Sequence, residues 1–335
     1  MQIPQPYLLF LGDVTDPLAA KTARGIKAWR FEQCVGQLRL DGSGVSLDLP
    51  DLTPEQAYQK GARTFVIGTA NAGGFLPEHW LETIRCAIRT GLNVASGLHQ
   101  RLADIPELVE LAYQHQVQLF DVRHHHEKLA VGTGLPRTGK RVLAVGTDCA
   151  VGKMYATLAL EKAMRAEGMD AQFRATGQTG ILVAGQGIAI DAIVADFISG
   201  AAEQISPANE ASHWDIIEGQ GSLFHPSYAG VSLGLLHGSQ PDWIVMCHEM
   251  GRPHTRHLPH HPLVSLSDCV AENLRVARVT NANVRLAGFA INTSNFTNEE
   301  AMAYCSEIAE QFNVAATDPV RYGMEPIANF LKMHG

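Results

Sequence analysis

A chain of 335 residues with 46% hydrophobic and 18% charged side chains has room for two domains with substantial cores and is too apolar to be intrinsically disordered. Its 26 basic and 34 acidic residues give a formal charge of −8 with no Lys/Arg-rich run, which argues against an extended nucleic-acid-binding surface but not against a local pocket for a small anion. The six cysteines are scattered with no CxxC pair, so neither a zinc ribbon nor a thioredoxin-type redox motif is expected.

In chain order, Met1–Phe10 lacks the basic start of a signal peptide. Strands are expected at Tyr7–Leu11, Thr64–Ile67, Asn93–Ala95 and Val117–Val122, and helices at Pro54–Lys60, Pro77–Arg89 and Ile105–Gln114. Pro54 and Pro77 suit helix starts, and Gly61 and Gly91 suit helix ends. This alternation reads as a Rossmann-like α/β domain over residues 1–137. Arg123–Lys140 is polar and turn-rich, a domain junction whose His124–His126 run reads as solvated rather than metal-binding. A second α/β domain, residues 138–335, opens abruptly with a strand at Arg141–Gly146. Further strands are expected at Gln172–Ala175, Asp215–Glu218, Trp243–Cys247 and Leu286–Ile291, with helices at Lys153–Glu167, Leu263–Val279 and Glu299–Phe312. The longest stretch without Asp, Glu, Lys or Arg, Gly219–Pro241, is rich in Gly and Ser and contains Pro226, a poor membrane helix. A cytoplasmic protein is expected.

The most informative segment is RVLAVGTDCAVGKMYATLALEKA, Arg141–Ala163. An apolar strand runs into Gly146, a loop of Thr147, Asp148, Cys149, Ala150 and Val151 ends at Gly152-Lys153, and a helix begins directly. Such a turn wraps backbone N–H groups around an anion, adds the partial positive charge of a helix N-terminus, and places a lysine to neutralise it. The match to a P-loop is inexact, with five residues rather than four between Gly146 and Gly152. Met154 stands where Ser or Thr would supply a hydroxyl to Mg²⁺, and a thioether is a poor ligand for that ion. Cys149 lies where loop N–H groups and Lys153 are expected to lower its pKa.

The spelling GTDCAVGK, with Phe173–Gln178, Ile217–Gly221 and Ala290–Thr293 following in order, resembles dethiobiotin synthetase and related P-loop proteins. The combination GTDCAVGKM, RATGQTGI, IEGQGSLFHPSYAGVSLGLLHGSQPD and GFAINTS is similar to the DgcN-type family over almost the whole chain. That resemblance implies a Rossmann-like N-terminal domain joined to a P-loop NTPase-like domain with a parallel sheet. It also implies acetyl-CoA-dependent N-acetylation of D-glutamate in D-amino-acid catabolism. A small-molecule substrate is expected, without nucleic acid or membrane, and a homo-oligomer is left open.

Acyl transfer to an amine needs a base, donors for the oxyanion and a held substrate. Glu218 at a strand end and His225 in the following loop are candidate bases, each with a structural alternative as cap or packing residue; Ser222 and Ser227 are candidate substrate contacts. Lys153, Met154 and the loop Gly146–Gly152 would hold the phosphates of acetyl-CoA, and Asn292, which matches a base-reading position in the synthetase-like proteins, would contact adenine or merely form a turn. Arg252 and Arg256 suit bidentate contacts to a dicarboxylate, and Arg174 and Gln178 are expected to line the same cleft. No metal site is expected, since Pro253 interrupts the spacing of His248, His254, His257, His260 and His261. Two other readings stay open: an ATP- and Mg²⁺-dependent ligase or kinase using Asp148, Lys153 and Glu218, and a nucleotide-binding regulatory module. In the N-terminal domain Gly68–Gly74 could form an anion nest, but GxGxxG is absent and NAD is not expected.

Overall fold

A computed structural model of the chain describes residues 2–17, 19–69, 74–125 and 128–335. It divides into two compact units, Met1–His126 with Gly177–Ala192, and Glu127–Thr176 with Ile193–Gly335. His126 and much of the Gly68–Gly74 loop lie outside the described residues.

In the first unit the chain runs β1 (Tyr7–Gly12), α1 (Lys21–Trp29), β2 (Cys34–Arg39), α2 (Pro54–Gln59), β3 (Thr64–Ile67), α3 (Leu81–Thr90), β4 (Asn93–Ser96), α4 (Pro106–Gln114) and β5 (Leu119–Asp121). Among the described residues these strands form a five-stranded parallel sheet in the order β2-β1-β3-β4-β5. The central strands β1 and β3 are buried along their whole length, as strands covered on both faces by helices must be. Thr53 and Gln56 close a capping box ahead of Pro54, which starts α2. A 3₁₀ turn at Glu78–Trp80 precedes α3, so the helix begins later than the Pro77 signal suggests. Trp80 then meets the Phe10 ring edge-on at 5.1 Å in the core.

The second unit opens with β6 (Lys140–Gly146), α5 (Lys153–Ala166) and β7 (Ala171–Arg174). The next helix, α6 (Gln178–Ala184), belongs to the first unit. The chain then continues the second unit with α7 (Ile198–Ile205), β8 (Trp214–Ile217), α8 (Ala229–Ser239), β9 (Trp243–Glu249), α9 (Leu266–Ala277), β10 (Arg285–Asn292), α10 (Asn298–Phe312), β11 (Ala315–Thr317) and α11 (Glu325–His334). The sheet is parallel, in the order β11-β10-β9-β6-β8-β7. Strand β6 is therefore the point where the order reverses, the place at which open α/β sheets open a crevice beyond their strands' carboxyl ends.

Helix α8 falls inside the Gly- and Ser-rich stretch that sequence patterning leaves without a helix. Its glycines are a packing device: a Cβ at Gly238 would lie 2.2 Å from the Ser199 carbonyl oxygen and at Gly234 2.5 Å from Ile198. Small residues spaced by four thus let α8 approach α7 closely. No helix among the described residues is long and apolar enough to cross a membrane.

Candidate active site

Strand β6 delivers its carboxyl end into the loop 147–152, beside the end of β9, where Gly146 pairs with Cys247. Two residues of the turn take left-handed backbone, Ala150 at φ 53° and Gly152 at φ 98°, which curls the loop back before α5 starts at Lys153. Lys153 is buried, and its Nζ donates to the Asp148 carbonyl oxygen at 2.8 Å, across the mouth of the loop. Burial pushes its ammonium below the ordinary lysine range. A cation with so little solvent gains most from an anion brought to it. On the other side Gly219 presses on the loop's base: a Cβ there would lie 1.7 Å from the Ala144 carbonyl oxygen and 3.0 Å from the Lys153 side chain.

Asp148 is fully buried and holds three donors. Its Oδ1 accepts from the Cys149 N–H at 2.6 Å, and its Oδ2 from Arg252 Nη1 at 2.7 Å and the Arg256 N–H at 2.6 Å. Arg252 also donates to the Cys149 carbonyl oxygen at 2.8 Å and pairs with Glu249. Its guanidinium thereby braces the loop after β6 against the loop after β9. Arg256 contributes its backbone to the same carboxylate, while its side chain is exposed and makes no hydrogen bond or ion pair among the described residues. Its charge reaches Cys149.

Thr147 is placed by three bonds: its N–H donates to the Cys247 carbonyl at 3.1 Å, its carbonyl accepts from Ser222 Oγ at 3.1 Å, and its hydroxyl meets His248 Nδ1 at 3.1 Å; two of these partners stand at the end of β9 and one in the loop after β8. Burial, and secondarily Arg252, hold the His248 ring down at about 4. Cys149 is a correction to the sequence expectation. Burial pushes its thiol up and outweighs the opposing pull of Lys153, so the loop does not make it a ready thiolate.

After β8, Glu218 is buried, with its N–H on the Arg174 carbonyl at 3.0 Å. Its Oε2 accepts from the Thr176 N–H at 2.9 Å, and the Thr176 hydroxyl donates to its carbonyl at 2.7 Å. Thr176, which sequence spacing gives no reason to single out, ties Glu218 to the loop beyond β7. His225 is 5% exposed. Its Nδ1 accepts from the Ser227 N–H at 3.1 Å, and its ring lies 4.4 Å from that of Tyr228. Asn292 ends β10 opposite Glu249, and its side chain accepts from the Ser294 N–H at 3.1 Å, closing a turn.

The other expected residues have partners of their own. Arg174 donates from Nε to Asp215 at 2.6 Å, in a buried network with Ser206, His213 and Arg141. Asp215 pairs with Arg141 at the amino end of β6, so the guanidinium is drawn away from the carboxyl edge where the loop lies. Gln178 opens α6 in the first unit, where it accepts from Arg123. The histidine-bearing loop after β9 folds on itself, with the Thr255 N–H on the His261 carbonyl at 2.9 Å and a bridge between His254 and Pro262. Among the described residues, one group of three metal-type donors comes together, Asp148, Cys149 and His225, with donor atoms within 4.8 Å of one another. Both Asp148 oxygens and His225 Nδ1 receive N–H donors.

Comparison with known proteins places this arrangement. A family profile described as a domain of unknown function (DUF1611_C), P-loop domain, matches residues 129–328. A second, described as a DUF1611_N Rossmann-like domain, matches residues 34–125. The chain is 50% identical over 327 residues to a protein of a Pseudoalteromonas species, covering 98% of each, and 46% identical over 321 residues to one of Tritonibacter scottomollicae, covering 96% of each. Both relatives carry the name D-glutamate N-acetyltransferase. The crystal structure of a DUF1611 family protein from Anabaena variabilis superposes with a TM-score of 0.84 at 31% identity, covering 99% of this chain and 100% of that one.

Proposed function

The chain belongs to the family that joins a DUF1611_N Rossmann-like domain to a DUF1611 P-loop domain, and on that footing we propose that it is a D-glutamate N-acetyltransferase. The observation that carries this reading is near-full-length identity to two relatives of that name. An ATP-dependent ligase finds no support in those names. Asp148, which that reading would use to recruit Mg²⁺, has both oxygens engaged by protein N–H groups.

We assign acetyl-CoA as the acyl donor. Its phosphates would lie on the loop amides of residues 147–152 and on Lys153, whose buried ammonium favours an anionic partner. No step of amine acetylation requires the Mg²⁺ that Met154 is unsuited to bind. Arg256 would take a D-glutamate carboxylate, because its guanidinium is unengaged while Arg252 is spent on Asp148, Cys149 and Glu249. Glu218 and His225 would flank the reacting amine and thioester. The amine nitrogen attacks the acetyl carbonyl, the C–S bond breaks, and CoA leaves as its thiol once a proton has passed from the amine.

The test is CoA release by the purified protein given acetyl-CoA and D-glutamate, against L-glutamate, no amine, and ATP·Mg²⁺ with D-glutamate. Release with D-glutamate alone, with N-acetyl-D-glutamate identified by mass, is the expected result. D-glutamate-dependent ADP formation without CoA release would overturn it. Lys153→Ala is expected to weaken acetyl-CoA binding at least about tenfold by calorimetry, the scale of one lost charge-assisted contact.

A further inference from the structure

Whichever group accepts the proton must present a lone pair to the amine, and an imidazole has at most one to offer. In His225 that lone pair is already committed. The Ser227 backbone N–H, which can only donate, points at Nδ1 from 3.1 Å. The neutral ring must therefore carry its own hydrogen on Nε2. The rest of the segment holds that orientation: the His225 N–H bonds the Ser222 carbonyl at 3.1 Å, its carbonyl accepts from the Tyr228 and Ala229 N–H groups, and the Tyr228 ring lies 4.4 Å from the imidazole. The side chain is more than nine-tenths buried, yet Nε2 has no hydrogen-bond partner among the described residues. A ring nitrogen, the Cys149 thiol and an Asp148 oxygen lie within 4.8 Å of one another at the lip of the phosphate loop.

We infer that His225 is a fixed hydrogen-bond donor to the acetyl carbonyl oxygen, and not the proton acceptor of the reaction. This rests on the acetyl-transfer reading above. As the D-glutamate amine adds to the carbonyl carbon, negative charge develops on the oxygen and Nε2–H stabilises it. When the C–S bond breaks, the oxygen returns to a carbonyl and His225 has kept its proton throughout. The proton lost by the amine goes to another group, and the Glu218 carboxylate is the candidate that the same loop supplies. Ser227 acts through His225 by fixing its tautomer, a positioning role played by a backbone amide.

Nitrogen-15 NMR of histidine-labelled wild-type protein reads the tautomer directly. A protonated Nε2 and an unprotonated Nδ1 are expected for the neutral His225 ring; the reverse tautomer overturns the inference. Kinetics of three variants test its use. His225→Asn keeps an acceptor for Ser227 but cannot reach the Nε2 position, His225→Gln can place an amide N–H there, and His225→Ala does neither. Gln is expected to retain kcat within about tenfold of wild type, and Asn and Ala to lose about 10²- to 10³-fold, the cost of one oxyanion donor. The acidic limb of kcat/KM against pH should be the same in wild type and His225→Gln. Gln as inactive as Ala, together with loss of that limb, would identify His225 as the base and sink the proposal. Wild-type protein that forms no N-acetyl-D-glutamate would instead defeat the functional reading, and the NMR result separates the two failures.

Discussion

Removing the Arg256 side chain takes away a cation that holds nothing else in place among the described residues. Arg256→Ala is expected to raise KM for D-glutamate about ten- to a hundredfold, with kcat and Tm nearly unchanged, in steady-state kinetics and thermal melts. Arg252→Ala should do the opposite, since it strands the fully buried Asp148 carboxylate. A loss of about 3 kcal/mol in stability is expected by denaturant titration, with Arg252→Lys recovering little because an ammonium cannot span the same acceptors. His248 gives a pH signature. Its ring titrates at about 4 against the ordinary 6.5, so below pH 6.5 the unfolded chain takes up a proton that the folded one refuses. Stability from this group is complete above 6.5 and is lost as pH falls toward 4, by at most about 3 kcal/mol. His248→Gln should flatten Tm against pH over that window; an unchanged slope would show that His248 is not the group responsible.

Helices α7 and α8 show what sequence periodicity can and cannot convey. The strand–loop–helix of β6 and α5 is legible because apolar run, glycines, lysine and helix formers agree over consecutive residues. Helix α8 is not, because Gly230, Gly234 and Gly238 read locally as loop residues. The meaning of Gly234 and Gly238 lies in α7, a separate segment whose Ile198 and Ser199 they meet. Strand β2 is hidden in another way: Gln37 is buried in it, its side chain accepting from the Leu47 N–H at 2.7 Å, so the apolar pattern is broken by a polar residue satisfied elsewhere. The site divides along the same line. The phosphate loop is contiguous and readable, whereas the bracing of Asp148 by Arg252 and of Glu218 by Thr176 joins residues far apart in sequence. The contrast within α8 is testable. Gly238→Ala forces a methyl into the Ser199 backbone and should cost about 1–3 kcal/mol or more. Gly230→Ala, exposed on the same helix with open space around it, should add about 0.5–1 kcal/mol. Equal effects of the two would remove the case for close helix contact.

At the scale of the whole chain, the first unit is discontinuous, because residues 177–192 group with 1–126 although the second unit flanks them in sequence. Helix α6 buries Ile181, Leu182 and Val183 there. A fragment of residues 127–335 would leave these side chains without their core. Such a fragment is expected to be cut by thermolysin within 177–192 under conditions in which the intact chain survives, and equal protection would show that the segment has an alternative home. The discontinuity also fixes an order of events during synthesis. As the chain leaves the ribosome, the first half cannot finish folding when residue 126 emerges; it waits until residue 192 is free, with β6, α5 and β7 already outside. The usual amino-terminal-first sequence, in which one domain closes before the next appears, is denied to this protein. The second half begins to emerge before the first can close, and that interval leaves the apolar strands of the first half, still short of their last helix, open to chaperones.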